Sequence, residues 1–161
     1  MGGRLGILRR VLAAGAVAAA VITVVAVRPA TSPAQTCAPT KPDALGPFYI
    51  PGAPERERTG RGLVVTGSVR SATGCRPLSG AQIEWWSAGS SGDYDDAHRA
   101  TQRTDAQGRY RYETDFPGKY PGRPPHLHLR VTAPGHRALV TQIYPTPGQT
   151  AVDTDLVLVV N

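Results

Sequence analysis

The sequence predicts an all-β domain, a sandwich of two packed sheets with an extended N-terminal arm. Beyond Thr36 no segment repeats apolar residues at helical spacing for three turns, whereas period-two alternation recurs. Gly and Pro interrupt that alternation at Thr73-Gly74, Ser79-Gly80, 105–108, Pro134-Gly135 and Pro147-Gly148, the short spacing expected of sandwich turns.

The strands follow in order. Residues 63–69 form the first and 81–86 the second, with Ala81, Ile83 and Trp85 on one face. Residues 108–114 carry Tyr110 and Tyr112. In the strand at 126–131, Leu127, Leu129 and Val131 share one face, so His126, His128 and Arg130 must share the other. Residues 139–144 and 156–160 complete the set. Trp85 and Trp86 point to opposite sides, so one of them is core. The Pro-rich stretches 39–54 and 117–125 are ordered arms or loops, because Pro does not fit central strands. His98 is expected in a polar loop and His136 in a Pro-Gly turn. Neither internal repeat nor second domain is visible.

The first 34 residues are set apart from this fold. Arg4, Arg9 and Arg10, with no acid among them, precede an uncharged and mostly apolar run at 11–27, and Ser32-Pro33-Ala34 then offers small residues for cleavage. We read 1–34 as a signal peptide, with an uncleaved anchor as the alternative, and 35–161 as the domain. Localisation is then extracytoplasmic, or membrane-tethered if the segment is retained. Arg9-Arg10-Val11-Leu12 is similar to a twin-arginine export signal.

The formal charge of +6 is misleading as a guide to partners. Four of the 18 basic residues and none of the 12 acids precede the proposed cut, leaving 14 against 12, scattered rather than clustered. No nucleic-acid partner is expected. Nor is a stable membrane partner after cleavage. Cys37 and Cys75 are the only cysteines, and an even pair in an exported chain is expected to form a disulfide, tying the arm to the first hairpin.

Chemistry concentrates at Tyr120-Pro121-Gly122-Arg123-Pro124-Pro125-His126-Leu127-His128. Alternate residues of a strand point the same way, so two imidazoles one residue apart can converge on one ion without backbone distortion. Taken alone, the pair is weak evidence and reads more often as two solvated histidines. Imidazoles combined with phenolate oxygens suit a hard trivalent iron better than zinc or copper(I). Six tyrosines could supply the oxygen: Tyr49, Tyr94, Tyr110, Tyr112, Tyr120 and Tyr144.

The segments Gly46-Pro47-Phe48-Tyr49, Pro77 through Ala81 into Ile83-Glu84-Trp85-Trp86, Gly92-Asp93-Tyr94, Thr104 through Tyr110, Pro117-Gly118-Lys119-Tyr120, Arg123 through His128 and Thr141-Gln142-Ile143-Tyr144 occur in an order that resembles the intradiol ring-cleavage dioxygenases related to protocatechuate and catechol dioxygenases. The resemblance implies one Fe(3+) per chain held by Tyr94, Tyr120, His126 and His128. It implies roles beside the metal for Arg123 and Gln142, displacement of the Tyr120 oxygen when substrate binds, and a place for Tyr49 in the substrate pocket. The implied partners are a small catechol and O2, and the implied reaction is ring opening to a cis,cis-muconate. The short link from Tyr120 to Arg123 implies an open pocket that admits bulky catechols. Oligomeric state is not readable.

Two rivals belong to other classes. A transthyretin-like or carbohydrate-binding sandwich would share the fold without catalysis, and in it the tyrosines and histidines would not meet. A copper or zinc carrier using His126 and His128 would lack the Met and Cys ligands such carriers use.

Overall fold

The computed structural model describes Gly2, residues 36–119 and residues 122–161. Apart from Gly2, the expected export segment lies outside the described residues, and so does Tyr120.

Among the described residues the strands are β1 (Leu63–Ser71), β2 (Gln82–Ala88), β3 (Tyr94–Arg103), β4 (Arg109–Thr114), β5 (Leu127–Thr132), β6 (Leu139–Ile143), β7 (Ala151–Asp153) and β8 (Leu156–Leu158). They form two sheets, one ordered β4-β1-β7 with β8 also pairing β1, the other β3-β2-β5-β6. The all-β sandwich expected from the sequence is the fold observed.

Period-two alternation explains how the sheets pack. Leu63, Val65 and Val69 of β1 turn inward against Ile83 and Trp85 of β2 and Leu127, Leu129 and Val131 of β5, all essentially without solvent contact. Trp85 is the core tryptophan. It stacks on Tyr112 with centroids 4.3 Å apart and satisfies its indole N–H on Gln102 Oε1 at 3.2 Å.

β1 is shared by two short parallel partners. Val64 to Thr66 pair with β7 and Val69 to Ser71 with β8. At the crossover between them Gly67 lets the Thr154 carbonyl approach; a Cβ there would stand 1.8 Å from that oxygen.

The structure departs from these expectations at four points. β3 was missed because Tyr-Asp-Asp-Ala-His-Arg has no apolar alternation. It is an edge strand whose residues 95–97 are exposed, and its charges guard the part of the edge that the 54–56 segment does not cover. His98 therefore sits in a strand rather than a loop, its Nδ1 2.7 Å from Asp95 Oδ1. The last strand ends at Leu158 rather than 160, and beyond it Val160 keeps only an isolated bridge to His136. β7 escaped notice because three residues are too few to show a period.

The expected disulfide joins Cys37 to Cys75. From this tether the arm runs across the domain. Cys37 N–H donates to Ala72 O at 3.1 Å, Thr40 N–H to Val157 O at 3.1 Å and Asp43 N–H to Val140 O at 2.9 Å. It thus passes from the first sheet to β6 and arrives over the polar face of β5.

Candidate active site

The sheet register builds the site. On the outer face of the second sheet Trp86 of β2, His128 of β5 and Gln142 of β6 are direct cross-strand neighbours, and in the next row Glu84 faces Arg130. His126 lies just before β5 and is buried beside His128.

His126 Nδ1 is 2.7 Å from the Pro124 carbonyl oxygen. A carbonyl only accepts, so Nδ1 carries the proton, and in the neutral ring the lone pair is then on Nε2. That Nε2 lies 3.0 Å from His128 Nε2 and 3.2 Å from the Tyr94 hydroxyl. Burial and then the neighbouring His126 push the His128 pKa down to about 4, against the opposing pull of the Ala44 backbone and the Asp43 charge. His128 is therefore neutral at physiological pH, the form in which imidazole binds metals. Its Nδ1 is buried and, among the described residues, completes no hydrogen bond.

The ring is clamped. The Trp86 indole lies flat on it with centroids 4.9 Å apart and planes 6° apart. On the arm, Gly46 passes so close that a Cβ would stand 2.9 Å from His128 Cε1. Phe48 stacks on Tyr94 at 4.3 Å. The arm is thus a wall of the site.

These donors fit the expected iron. Two imidazole nitrogens bound at right angles to one ion, each about 2.1 Å away, would be about 3 Å apart, and a phenol oxygen stands beside them. Among the described residues no third His, Cys, Asp or Glu joins them in a metal-binding cluster. The oxygen that stands beside the pair is the Tyr94 hydroxyl.

Arg123 and Gln142 are brought together. Arg123 Nη2 donates to Gln142 Oε1 at 2.7 Å and to the Tyr144 hydroxyl at 2.8 Å. Gln142 Nε2 donates to Ala44 O at 2.6 Å. Tyr49 sits one row away. Its ring packs on Trp86 with centroids 5.0 Å apart, and its hydroxyl donates to the Glu84 carboxylate at 3.1 Å.

Glu84 is buried and also accepts from Arg130 Nη1 at 2.7 Å. Neither Glu84 nor Asp43 has a role assigned from the sequence, and Tyr144 stands there only among six possible oxygen donors. Parity could have found Glu84, since in β2 it shares the face of Trp86 opposite Ile83 and Trp85. A wide depression lies elsewhere, between the outer face of β1 and β4 and the β3 edge of the second sheet. Arg70, Arg103 and Arg109 there are each paired with an acid, Asp155, Glu55 and Asp105, as in a solvated ion-pair lattice.

A family model described as dioxygenase matches residues 49–160. The chain belongs to the intradiol ring-cleavage dioxygenase family. This dioxygenase-family chain is 30% identical over 152 residues to 6-chlorohydroxyquinol 1,2-dioxygenase of Cupriavidus pinatubonensis, covering 73% of this chain and 54% of that enzyme. It is 34% identical over 137 residues to catechol 1,2-dioxygenase of Candida albicans, covering 62% and 45%. It therefore spans about half the length of these two relatives.

Among solved structures, the dioxygenase domain of a dioxygenase carbohydrate-binding protein fusion from the cellulolytic bacterium Streptomyces sp. SirexAA-E superposes with a TM-score of 0.70 at 30% identity, covering 77% of this chain and 100% of that one. Hydroxyquinol 1,2-dioxygenase from Pseudomonas putida DLL-E4, at 22% identity and a TM-score of 0.70 over 79% and 68% of the two chains, shares the fold. Intradiol dioxygenases in general are iron-dependent.

Proposed function

We propose that this domain binds one iron(III) through Tyr94, Tyr120, His126 and His128 and cleaves a catechol between its two hydroxyl-bearing carbons. Catechol and O2 together contain the atoms of the muconic acid product, so no further reductant is needed. The observation that carries the reading is the convergence of two buried imidazole Nε2 atoms 3.0 Å apart with a tyrosine hydroxyl 3.2 Å from one of them. In the binding-module alternative tyrosine and histidine would stand apart.

Bound there, iron(III) supplies the Lewis acidity that holds a catechol as its dianion and renders its ring reactive toward O2. The chain does the rest. The Pro124 carbonyl keeps the His126 lone pair aimed at the centre, and burial keeps His128 unprotonated. Trp86 and Gly46 leave the His128 ring no room to turn. Arg123 places a permanent positive charge beside developing negative charge, and the Gln142 amide, fixed by Ala44, is positioned to steady an oxygen of the substrate.

The test is iron content and the visible spectrum, followed by turnover of catechol under 18O2. Stoichiometric iron, a tyrosinate charge-transfer band and a ring-opened product carrying both labelled atoms are expected. A protein that stays colourless after reconstitution with iron overturns the reading.

We also propose that residues 1–34 export the protein. The Cys37–Cys75 disulfide supports this, since such bonds persist in oxidising compartments. Recovery of the protein in the cytoplasm with Met1 or Gly2 at its N-terminus would count against it.

A further inference from the structure

A hydrogen-bonded chain at the site runs Asp43, Tyr144, Arg123, Gln142, and its first two members have no role in the reading above. Both contacts to Arg123 fall on one nitrogen. Nη2 donates to Gln142 Oε1 at 2.7 Å and to the Tyr144 hydroxyl at 2.8 Å, which uses both of its protons.

The Tyr144 hydroxyl has one proton to give and two acceptors in reach, Asp43 Oδ2 at 2.8 Å and Gln142 Oε1 at 2.9 Å. Gln142 Oε1 is already engaged by the guanidinium, and a carboxylate is the stronger acceptor. The proton therefore goes to Asp43, and the lone pairs of the phenol oxygen are left for Arg123. Asp43 is itself held, because its Oδ1 accepts from the Ala44 N–H at 2.6 Å and its own N–H donates to Val140 O at 2.9 Å. The arm thus supplies a fixed anchor, and Tyr144 transmits it to a loop arginine that lies outside any strand.

We propose that Asp43 and Tyr144 are positioning residues that hold Arg123 by Nη2, fix the direction of its guanidinium beside the His126–His128 pair, and leave its Nε and Nη1 protons for an anionic oxygen of the substrate. Among the described residues neither Nε nor Nη1 meets an acceptor, whereas Nη2 meets two. The identity of that substrate as a catecholate rests on the proposed function; the aiming of Arg123 does not.

The experiment uses the iron-loaded protein and the variants Tyr144→Phe, Asp43→Ala and their double. Tyr144 is 42% exposed, so losing its hydroxyl leaves the core intact. For Tyr144→Phe, kcat on catechol should fall about tenfold while KM moves less than about threefold, with iron content, charge-transfer band and Tm unchanged. Asp43→Ala should lower kcat by about threefold alone and by less than about twofold in the Tyr144→Phe background, because it acts only through the phenol.

A kcat for Tyr144→Phe within about twofold of the parent, or effects of the two substitutions that multiply, overturns the proposal. Rotation of the Arg123 guanidinium, followed by 15N NMR on the iron-free protein, is an independent reading. It should be slow in the parent and fast in Tyr144→Phe. Free rotation in the parent defeats the positioning role even if ring cleavage is observed. Restrained rotation released by the variant, in a protein that cleaves no catechol, upholds the positioning role and defeats the proposed function instead.

Discussion

The Trp86 indole lies flat against the His128 imidazole, with centroids 4.9 Å apart and planes 6° apart, because the two residues are direct cross-strand partners of β2 and β5. Trp86 is 3% exposed and, among the described residues, its indole nitrogen meets no hydrogen-bond acceptor, so it acts on His128 through its stacked ring. Trp86→Phe should keep a flat apolar surface and remain folded, while Trp86→Ala should cost about 3–5 kcal/mol and free the His128 ring. Denaturant unfolding together with iron affinity, measured by competition with a chelator, separates the two. Equal iron affinity in parent and Trp86→Ala protein would show that the stack does not orient the ligand.

The buried Glu84 carboxylate is held by Arg130 at 2.7 Å and by the Tyr49 hydroxyl. Burial and then the Glu84 charge raise the Tyr49 pKa, which keeps that phenol protonated and committed as a donor. Removing one partner of a buried ion pair typically costs about 3–5 kcal/mol; the Arg130 side chain is 33% exposed, so Glu84→Gln should fall nearer 2 kcal/mol. A double-mutant cycle with Arg130→Met should recover part of that loss. Additive losses would mean that the pair is not coupled.

Much of this architecture was legible in residue parity. Leu127, Leu129 and Val131 had to face inward, which alone put His126, His128 and Arg130 together on the other face, and the structure places them so. Edge strand β3 was hidden because water satisfies its outer side and relieves it of any apolar period. The anchor on Arg123 was hidden for a different reason. Asp43 and Tyr144 are 101 residues apart, and nothing local in either segment records a contact made only when the arm folds over β6.

Acid should act on a particular clasp between β1 and β8. Burial of Asp155 works to raise its pKa, but hydrogen bonds from the Ser68 hydroxyl and N–H, at 2.7 and 2.8 Å, and the charge of Arg70 outweigh it, and the net shift is downward. A carboxyl depressed in the folded state contributes stability above its ordinary value, about 3.9, and loses it as the pH falls through the folded-state value. The side chain is 51% exposed, so the contribution is at most about 1 kcal/mol. Tm should therefore drop below about pH 4, less steeply in Asp155→Asn. Superimposable acid limbs for the two proteins would exclude Asp155 from the effect.

The Cys37–Cys75 bond closes a loop of sequence separation 38, for which chain-entropy arguments give about 4 kcal/mol of stabilisation. Its second consequence is local to the site. Asp43, Ala44, Gly46 and Phe48 all reach the site from the arm that this bond tethers, and they contact Tyr144, Gln142, His128 and Tyr94 respectively. A reduced protein, or the Cys37→Ser/Cys75→Ser pair, keeps every proposed iron ligand yet loosens the wall that covers His128. Iron release to a chelator should then accelerate by about tenfold at a temperature where circular dichroism still reports the native sheets. If the oxidised and reduced proteins release iron at the same rate, the arm holds its place through its own hydrogen bonds to Val157 and Val140, and the disulfide serves stability alone.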